Sequence, residues 1–165
     1  MKAIHIPYYK TYVSKVDTKS VLDALIDTKK TTLASIEKLS EEKGNYRYAD
    51  GKWTIKELIV HIIDVERIFA ARALCLARGE KQNIHGFDEN EYAANSNSNR
   101  RCMGNIITEY KAVRASSIAL FESFDDDDMK AKGIASNCEF NVLALAYIIS
   151  GHNVHHINVL KERYL

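Results

Sequence analysis

Residues 51–66 read GKWTIKELIVHIIDVE and contain the clearest helix start in the chain. Thr54 stands three positions before Glu57, which is the spacing of a capping box. In that arrangement each of the two side chains accepts a hydrogen bond from the backbone N–H of the other residue. The apolar residues that follow recur at helical spacing. We therefore predict a helix that begins after Thr54 and stops at Gly79, after about seven turns.

Three other segments have the apolar periodicity of helices. They cover residues 18–42, residues from roughly 100 to 124, and residues 141–165, which begin with Asn141 as an N-cap. Four amphipathic helices of this length predict an all-α protein with a four-helix bundle fold. The connection between the second and third helices, residues 80–99, is the longest. It predicts a long crossover that is functional or carries short structure of its own.

The remaining segments are short, and the whole chain, residues 1–165, is predicted to form a single domain. Residues 1–17 are interpreted as an N-terminal extended arm laid over that domain. The acidic run Asp125–Asp128 is interpreted as a solvated helix end or a short turn. Residues 133–140 are interpreted as a short extended connection.

Composition and charge exclude several classes of protein. The formal net charge is +1 without a basic stripe, so we expect no nucleic-acid partner and no anionic membrane partner. No apolar run approaches the ~18 residues of a membrane span, and no signal peptide is apparent. The three cysteines are odd in number and far apart in sequence, which favours a reducing cytoplasm over a disulfide framework.

The last predicted helix has an inward-facing stripe at alternating steps of three and four residues. The stripe comprises Val142, Leu145, Ile149, His152, His156, Val159 and Arg163. His152 and His156 are one turn apart on it, so their imidazoles can converge on one metal ion. The alternative is a pair of buried, hydrogen-bonded histidines. His155 faces about 100° away and is expected at the surface or an interface, or less readily as a general base.

The second predicted helix supplies a third histidine. His61 lies mid-helix among apolar residues, where an unpaired imidazole would be costly. His5 and His85 fall in loop-like segments and are expected at the surface.

Three neutral histidines from two helices leave a coordination position open, which is typical of catalytic metal sites. The candidate ligands are therefore His61, His152 and His156. Such a site needs neighbouring groups that orient the rings, and the nearby candidates are Asp64, Asn153 and Asn158.

The order of GKWTIKELIVHIIDVE, GFDENEY and GHNVHHIN resembles the DinB-like (YfiT-like) metal-binding four-helix bundles. The resemblance covers nearly the whole chain, and all three positions of the family's histidine triad are histidine: His61, His152 and His156. It implies one divalent metal ion, most simply zinc or nickel, and a homodimer. It also implies chemistry on a low-molecular-weight thiol, as a transferase, an isomerase or a hydrolase.

We therefore expect a metal-dependent thiol S-transferase that acts on a small-molecule substrate. The first alternative is a non-catalytic, dimeric stress-response module with a structural metal ion. The second is a metal-free bundle with a polar core. The polar middle of the first helix, residues 28–32, fits a polar cavity, but a solvent-facing stretch is the preferred interpretation.

Overall fold

The computed structural model of the chain describes residue 3, residues 7–16 and residues 20–165, so His5 lies outside the described residues. The helices are α1 (Pro7–Val13), α2 (Val21–Ile36), α3 (Glu41–Gly44), α4 (Ile55–Ala77), α5 (Glu89–Asn95), α6 (Met103–Glu122), α7 (Asp126–Lys130) and α8 (Val142–Val159). A hairpin of β1 (Lys132–Ala135) and β2 (Cys138–Asn141) precedes α8. A 3₁₀ turn covers Ser98–Arg100, and a π turn, Leu160–Tyr164, follows α8.

The predicted start of α4 is confirmed in detail. The Thr54 hydroxyl accepts a hydrogen bond from the Glu57 backbone N–H at 3.1 Å. The Glu57 carboxylate accepts one from the Thr54 backbone N–H at 2.7 Å. The helix ends where Gly79 adopts a φ of +84°, a conformation that glycine adopts at little cost.

Four long helices, α2, α4, α6 and α8, form the predicted bundle. Each packs mainly on two others, and the ring of contacts runs α2, α8, α4, α6 and back to α2. The buried apolar residues form two clusters. Helix α2 begins in the first cluster with Leu25 and ends in the second with Ile36, whereas α4 begins in the second with Ile55 and ends in the first with Leu76. The same comparison shows that α8 is parallel to α2 and that α6 is parallel to α4.

This arrangement explains the long crossover. Because α4 and α6 are parallel neighbours, the chain must return along the whole bundle between them, about 35 Å for a helix of 23 residues. Residues 78–102 make this return and contain α5 and the 3₁₀ turn. The predicted crossover with short structure of its own is therefore confirmed.

Polar side chains are buried in the bundle interior. Thr28 and Thr32 of α2 are 6% and 0% exposed, so the preferred interpretation of residues 28–32 as solvent-facing was wrong for these two positions. The Thr32 hydroxyl donates to the Asn153 side-chain oxygen of α8 at 3.1 Å. The interior therefore has polar contacts between helices beside its apolar clusters.

Two predictions near the N-terminus need correction. Residues 7–13 are helix α1 and not an extended arm, and the ring of Tyr9 packs edge-on against Phe69 and Phe140. The helix predicted over residues 18–42 ends at Ile36. The Ser40 hydroxyl then caps a separate short helix by accepting a hydrogen bond from the Lys43 backbone N–H.

The segments between α6 and α8 have more regular structure than predicted. Asp125 of the acidic run caps α7. Residues 133–140 belong to an antiparallel hairpin, whose two turn residues, Ser136 and Asn137, have φ values of 51° and 61°. Positive φ at both turn residues is the requirement of a type I′ turn, which matches the twist of the two strands. Asn141 caps α8 as predicted, because its side chain accepts from the Ala144 N–H at 2.9 Å.

The C-terminal part of the predicted α8 stripe is wrong. After Val159 the chain forms a π turn, whose wider i→i+5 bonding is present from the Leu165 N–H to the Leu160 carbonyl. The change in period buries Leu160 and Tyr164 and exposes Arg163.

Within the described residues, no helix combines the length and apolar character that a membrane span requires.

Candidate metal centre

The three predicted ligand histidines meet between α4 and α8. The Nε2 atoms of His61 and His152 are 3.1 Å apart, and those of His152 and His156 are 3.0 Å apart. One nitrogen from each ring lies within 4.8 Å of the others. His61 and His152 are buried, and His156 is partly buried. The structure therefore brings together the residues that the sequence selected.

The geometry of the triad suits one metal ion. Two imidazole nitrogens that bind a tetrahedral ion at ~2.1 Å are about 3.4 Å apart, close to the two Nε2 separations in the triad. The His152 Nε2 atom faces both other rings. In a given tautomer of a neutral histidine, each ring nitrogen is either a hydrogen-bond donor or an acceptor, not both. It therefore cannot form a good hydrogen bond to each neighbour, whereas a shared cation would satisfy all three nitrogens.

Burial keeps the three imidazoles neutral. Burial is the main cause that lowers the pKa of His61 to about 4 and that of His156 to about 2, and the charges of neighbouring histidines contribute to both shifts. The pKa of His152 falls well below its ordinary value, first through burial and then through the charges of His156 and His61. Since a metal ion binds the neutral imidazole, the site is already in the protonation state that binding requires.

Trp53 covers one side of the triad. Its ring lies 4.7 Å from the ring of His61, centroid to centroid, and stacks on that of His156 at 6.4 Å. This tryptophan directly precedes the Thr54 cap, so the start of α4 places it. An aromatic wall limits both the rotation of the histidine rings and the access of water.

Helix α1 covers another side. The ring of Tyr12 is edge-on to His152 and to His155, with centroids 5.4 and 5.6 Å away. The close approach depends on Gly151, because a Cβ there would lie 1.9 Å from the Tyr12 carbonyl oxygen. No local pattern in the sequence indicates this contact, since the segment is interpreted from sequence as an extended arm. The half-buried His155 thus packs beside the site.

None of the three polar residues predicted to orient the rings hydrogen-bonds to the triad within the described part of the chain. Asp64 pairs with Arg67 of its own helix at 3.7 Å. Asn153 is buried, but its side-chain oxygen accepts from the Tyr110 hydroxyl at 3.0 Å. Asn158 is exposed. Trp53, whose ring packs on His61 and His156, is therefore a better candidate for that role.

A buried ion pair lies elsewhere in the interior, and sequence reasoning missed it. Arg114 donates to both carboxylate oxygens of Glu66 at 2.7 and 2.8 Å, and both side chains are almost fully buried. Its third nitrogen donates to the Thr28 hydroxyl at 2.6 Å and to the Leu25 carbonyl at 2.8 Å. The pair links α4, α6 and α2. The one signal in sequence was a glutamate among apolar residues on the inner face of α4.

Two cavities reach the triad. The first cavity, of about 260 Å³, is lined by His152 and by aromatic and polar residues that include Tyr9, Phe69, Arg72 and Ser136. The second cavity, of about 280 Å³, is lined by Trp53, His155 and His156, with Tyr48 and Tyr164 among the others. They have no lining residue in common. The remaining described histidine, His85, is exposed as predicted.

The family follows from the sequence match. Residues 24–160, which include all three histidines of the triad, match the model of the DinB superfamily. The chain belongs to the DinB superfamily. Among solved structures, this DinB-superfamily chain is similar to YfiT from Bacillus subtilis, a probable metal-dependent hydrolase with an unusual four-helix bundle topology. The TM-score is 0.77 at 16% sequence identity, and 88% of each chain is covered, which shows a shared fold. No curated protein sequence matches the chain.

Proposed function

We propose that this protein is a divalent-metal-dependent transferase that joins a low-molecular-weight thiol to an electrophilic small molecule. His61, His152 and His156 would hold the ion, with zinc or nickel as the natural choices for three imidazoles. The observation that carries the proposal is the pair of separate cavities that end at the same triad. The resemblance noted in the sequence also supports a homodimer as the working form, and the three free cysteines support a location in the cytoplasm.

Two cavities suit a reaction with two organic substrates. One cavity would receive the thiol and the other the electrophile, and both would meet at the histidines. At about 260 and 280 Å³ the cavities are near the lower end of small-molecule sites, which are usually about 300–1,000 Å³. Each therefore fits a compact molecule and not a polymer.

A divalent ion held by the triad would lower the pKa of a thiol or water that it binds and would act as a Lewis acid. The residues of the chain supply the rest. The buried histidines remain neutral, and Trp53 and Tyr12 restrict water. In the transfer the thiol loses its proton, its sulfur forms a bond with the electrophilic carbon, and the leaving group departs with the electron pair of the broken bond.

Hydrolysis is the second candidate. It is favoured by the likeness to YfiT, which is described as a probable metal-dependent hydrolase. A hydrolase needs a cavity for one organic substrate, because its second reactant is water. A second cavity at the triad is therefore better explained by transfer than by hydrolysis. The non-catalytic alternative, a structural metal ion in a dimeric module, accounts for neither cavity.

The test uses the cobalt-substituted protein, because cobalt absorbs visibly in a site that suits zinc. We expect added cysteine to produce a sulfur-to-cobalt absorption band in the wild type and none in His156→Ala. A His85→Ala variant is the matched control, since His85 is exposed and its side chain is not part of the described triad. Cobalt binding without a response to cysteine, coenzyme A or glutathione would contradict thiol chemistry and favour hydrolysis.

A further inference from the structure

Arg72 is a buried arginine in the wall of the first cavity. It is 2% exposed and among the largest fully buried side chains of the described residues. It follows His61 on α4 by eleven positions, which is three turns, so the two residues share a helix face about 16 Å apart along the axis. Side chains on a helix lean toward its N-terminus, and for Arg72 that is the direction of the triad.

The hydrogen bonds of Arg72 are incomplete. One terminal nitrogen donates to the His85 carbonyl and to the Ser136 hydroxyl, both at 2.9 Å. The Nε–H is buried without a hydrogen-bond partner. Buried polar groups without partners are rare in folded proteins, because each one has lost its hydrogen bonds to water without replacing them. An acceptor that enters the cavity would satisfy this donor.

The charge of Arg72 also has no carboxylate partner among the described residues. Within the described residues, no carboxylate lies within ion-pair distance of it, in contrast to Arg114 with its Glu66 partner. Burial lowers the pKa of Arg72, and the neighbouring Tyr9 and Cys138 oppose that shift, Tyr9 also through a side-chain hydrogen bond. An arginine remains charged under such conditions, so the cavity contains a buried cation. The acidic group in the wall, Glu89, is exposed to solvent.

The turn of the β1–β2 hairpin places a second polar group, the Ser136 hydroxyl, in the wall of the first cavity. Ser136, one of the two turn residues of the hairpin, lines the cavity with a φ of 51°. Gly86 keeps the space beside it open, since a Cβ there would approach the Ser136 hydroxyl oxygen at 3.1 Å.

We propose that Arg72, with the Ser136 hydroxyl, binds a carboxylate of the substrate in the first cavity. One carboxylate oxygen would accept from the Arg72 Nε–H. The other would accept from the terminal nitrogen that now contacts Ser136, as in the side-on pairing of Arg114 with Glu66.

The rest of the cavity defines the body of this substrate. The rings of Phe69 and Phe87 lie 5.0 and 5.8 Å from the Arg72 guanidinium carbon, and Tyr9 and Tyr12 complete an aromatic wall. His152 lies in the same cavity. The substrate class is therefore a small carboxylic acid with an apolar or unsaturated body, whose other end reaches the triad. The statement about that reacting end rests on the proposed function, whereas carboxylate binding at Arg72 does not.

The test measures binding to the metal-free protein, so that a carboxylate cannot be held by a metal ion. Phenylacetate is the probe, and the neutral phenylacetamide is its matched control. In ¹H–¹⁵N NMR spectra of the arginine Nε–H groups, phenylacetate should shift the Arg72 signal and the amide should not. The Arg72 signal is assigned as the one that is present in the wild-type spectrum and absent from the spectrum of Arg72→Gln.

Substitutions of Arg72 and Ser136 measure how much each side chain contributes to phenylacetate binding. Arg72→Gln should weaken phenylacetate binding about tenfold to hundredfold, the usual contribution of hydrogen bonds to a charged group. Arg78→Gln, which changes an exposed arginine of the same helix end, should leave binding unchanged. Ser136→Gly removes the hydroxyl while suiting the positive φ of the turn, and should weaken binding about threefold to tenfold even if Arg72→Gln fails to fold.

The proposal is overturned if the Arg72 signal does not respond, or if phenylacetate binds solely after zinc is added. Equal affinity in the wild type and Ser136→Gly would remove the hydroxyl from the site. If phenylacetate does not bind at Arg72 while cobalt and cysteine bind normally at the triad, the proposed transferase function is retained and the carboxylic acid substrate is rejected.

Discussion

His61 and His152 are 91 positions apart in the chain, and their Nε2 atoms are 3.1 Å apart in the fold. The contact exists because α4 and α8 are antiparallel neighbours in the bundle. His156, one turn along α8, adds a third nitrogen at 3.0 Å from that of His152. Two helices thus bring three histidines together, and the proposed metal site depends on the packing between them.

The metal-free protein should become less stable as the pH falls from 7.5 to 5.5. Burial lowers the folded-state pKa of His61 to about 4 and that of His156 to about 2, and lowers that of His152 well below normal. The unfolded chain, with histidine pKa values near 6.5, therefore binds more protons in this window. Below pH 6.5 each buried histidine should cost up to about 1.4 kcal/mol per pH unit.

Urea denaturation in the presence of a chelator measures this effect. His156→Gln should reduce the pH dependence, and the exposed His85→Gln should not change it. A free energy of unfolding that is constant between pH 7.5 and 5.5 would show that the rings are not held neutral.

Gly151→Ala should detach helix α1 from α8. An added Cβ would meet the Tyr12 carbonyl oxygen at 1.9 Å, so the backbones must separate. We expect a loss of about 1–3 kcal/mol in the free energy of unfolding, together with faster proteolysis near the N-terminus. Gly104→Ala is the control, because a Cβ at that position in α6 meets no atom within 4 Å. Equal stability of the two variants would contradict the close approach of Tyr12.

Glu66→Gln should be strongly destabilising. It would leave Arg114 buried and fully charged with no carboxylate, a situation that typically costs 3–5 kcal/mol. The matched control is Glu37→Gln, which removes the partner of Lys111 in an exposed ion pair and should cost at most about 1 kcal/mol. Thermal or urea denaturation measures both. A small loss in Glu66→Gln would show that water or another group compensates the charge of Arg114.

Local signals in the sequence predicted a large part of the fold. The Thr54 capping box and the Asn141 cap depend on residues within one turn, so a short segment is sufficient to recognise them. The triad was also recognisable, because His152 and His156 share a helix face and His61 is surrounded by apolar residues. Four helices and a long crossover then follow from the apolar period.

Contacts distant in sequence were the part that could not be predicted. Nothing near Arg72 or Arg114 indicates which atoms far along the chain receive their hydrogen bonds. The helical form of residues 7–13 is accompanied by packing of Tyr9 and Tyr12 on the bundle, and the π turn after Val159 changes a period that the sequence otherwise continues. In each case tertiary packing accompanies a structure that the local pattern does not specify.

The most direct test of the central claim is the metal content of the purified protein. Wild type, His156→Ala and His85→Ala would be loaded with zinc, passed through a desalting column and analysed by elemental mass spectrometry. The triad predicts about one zinc per chain in the wild type and in His85→Ala, and a large loss in His156→Ala. Equal zinc in all three proteins, or none in the wild type, would contradict a metal site at His61, His152 and His156.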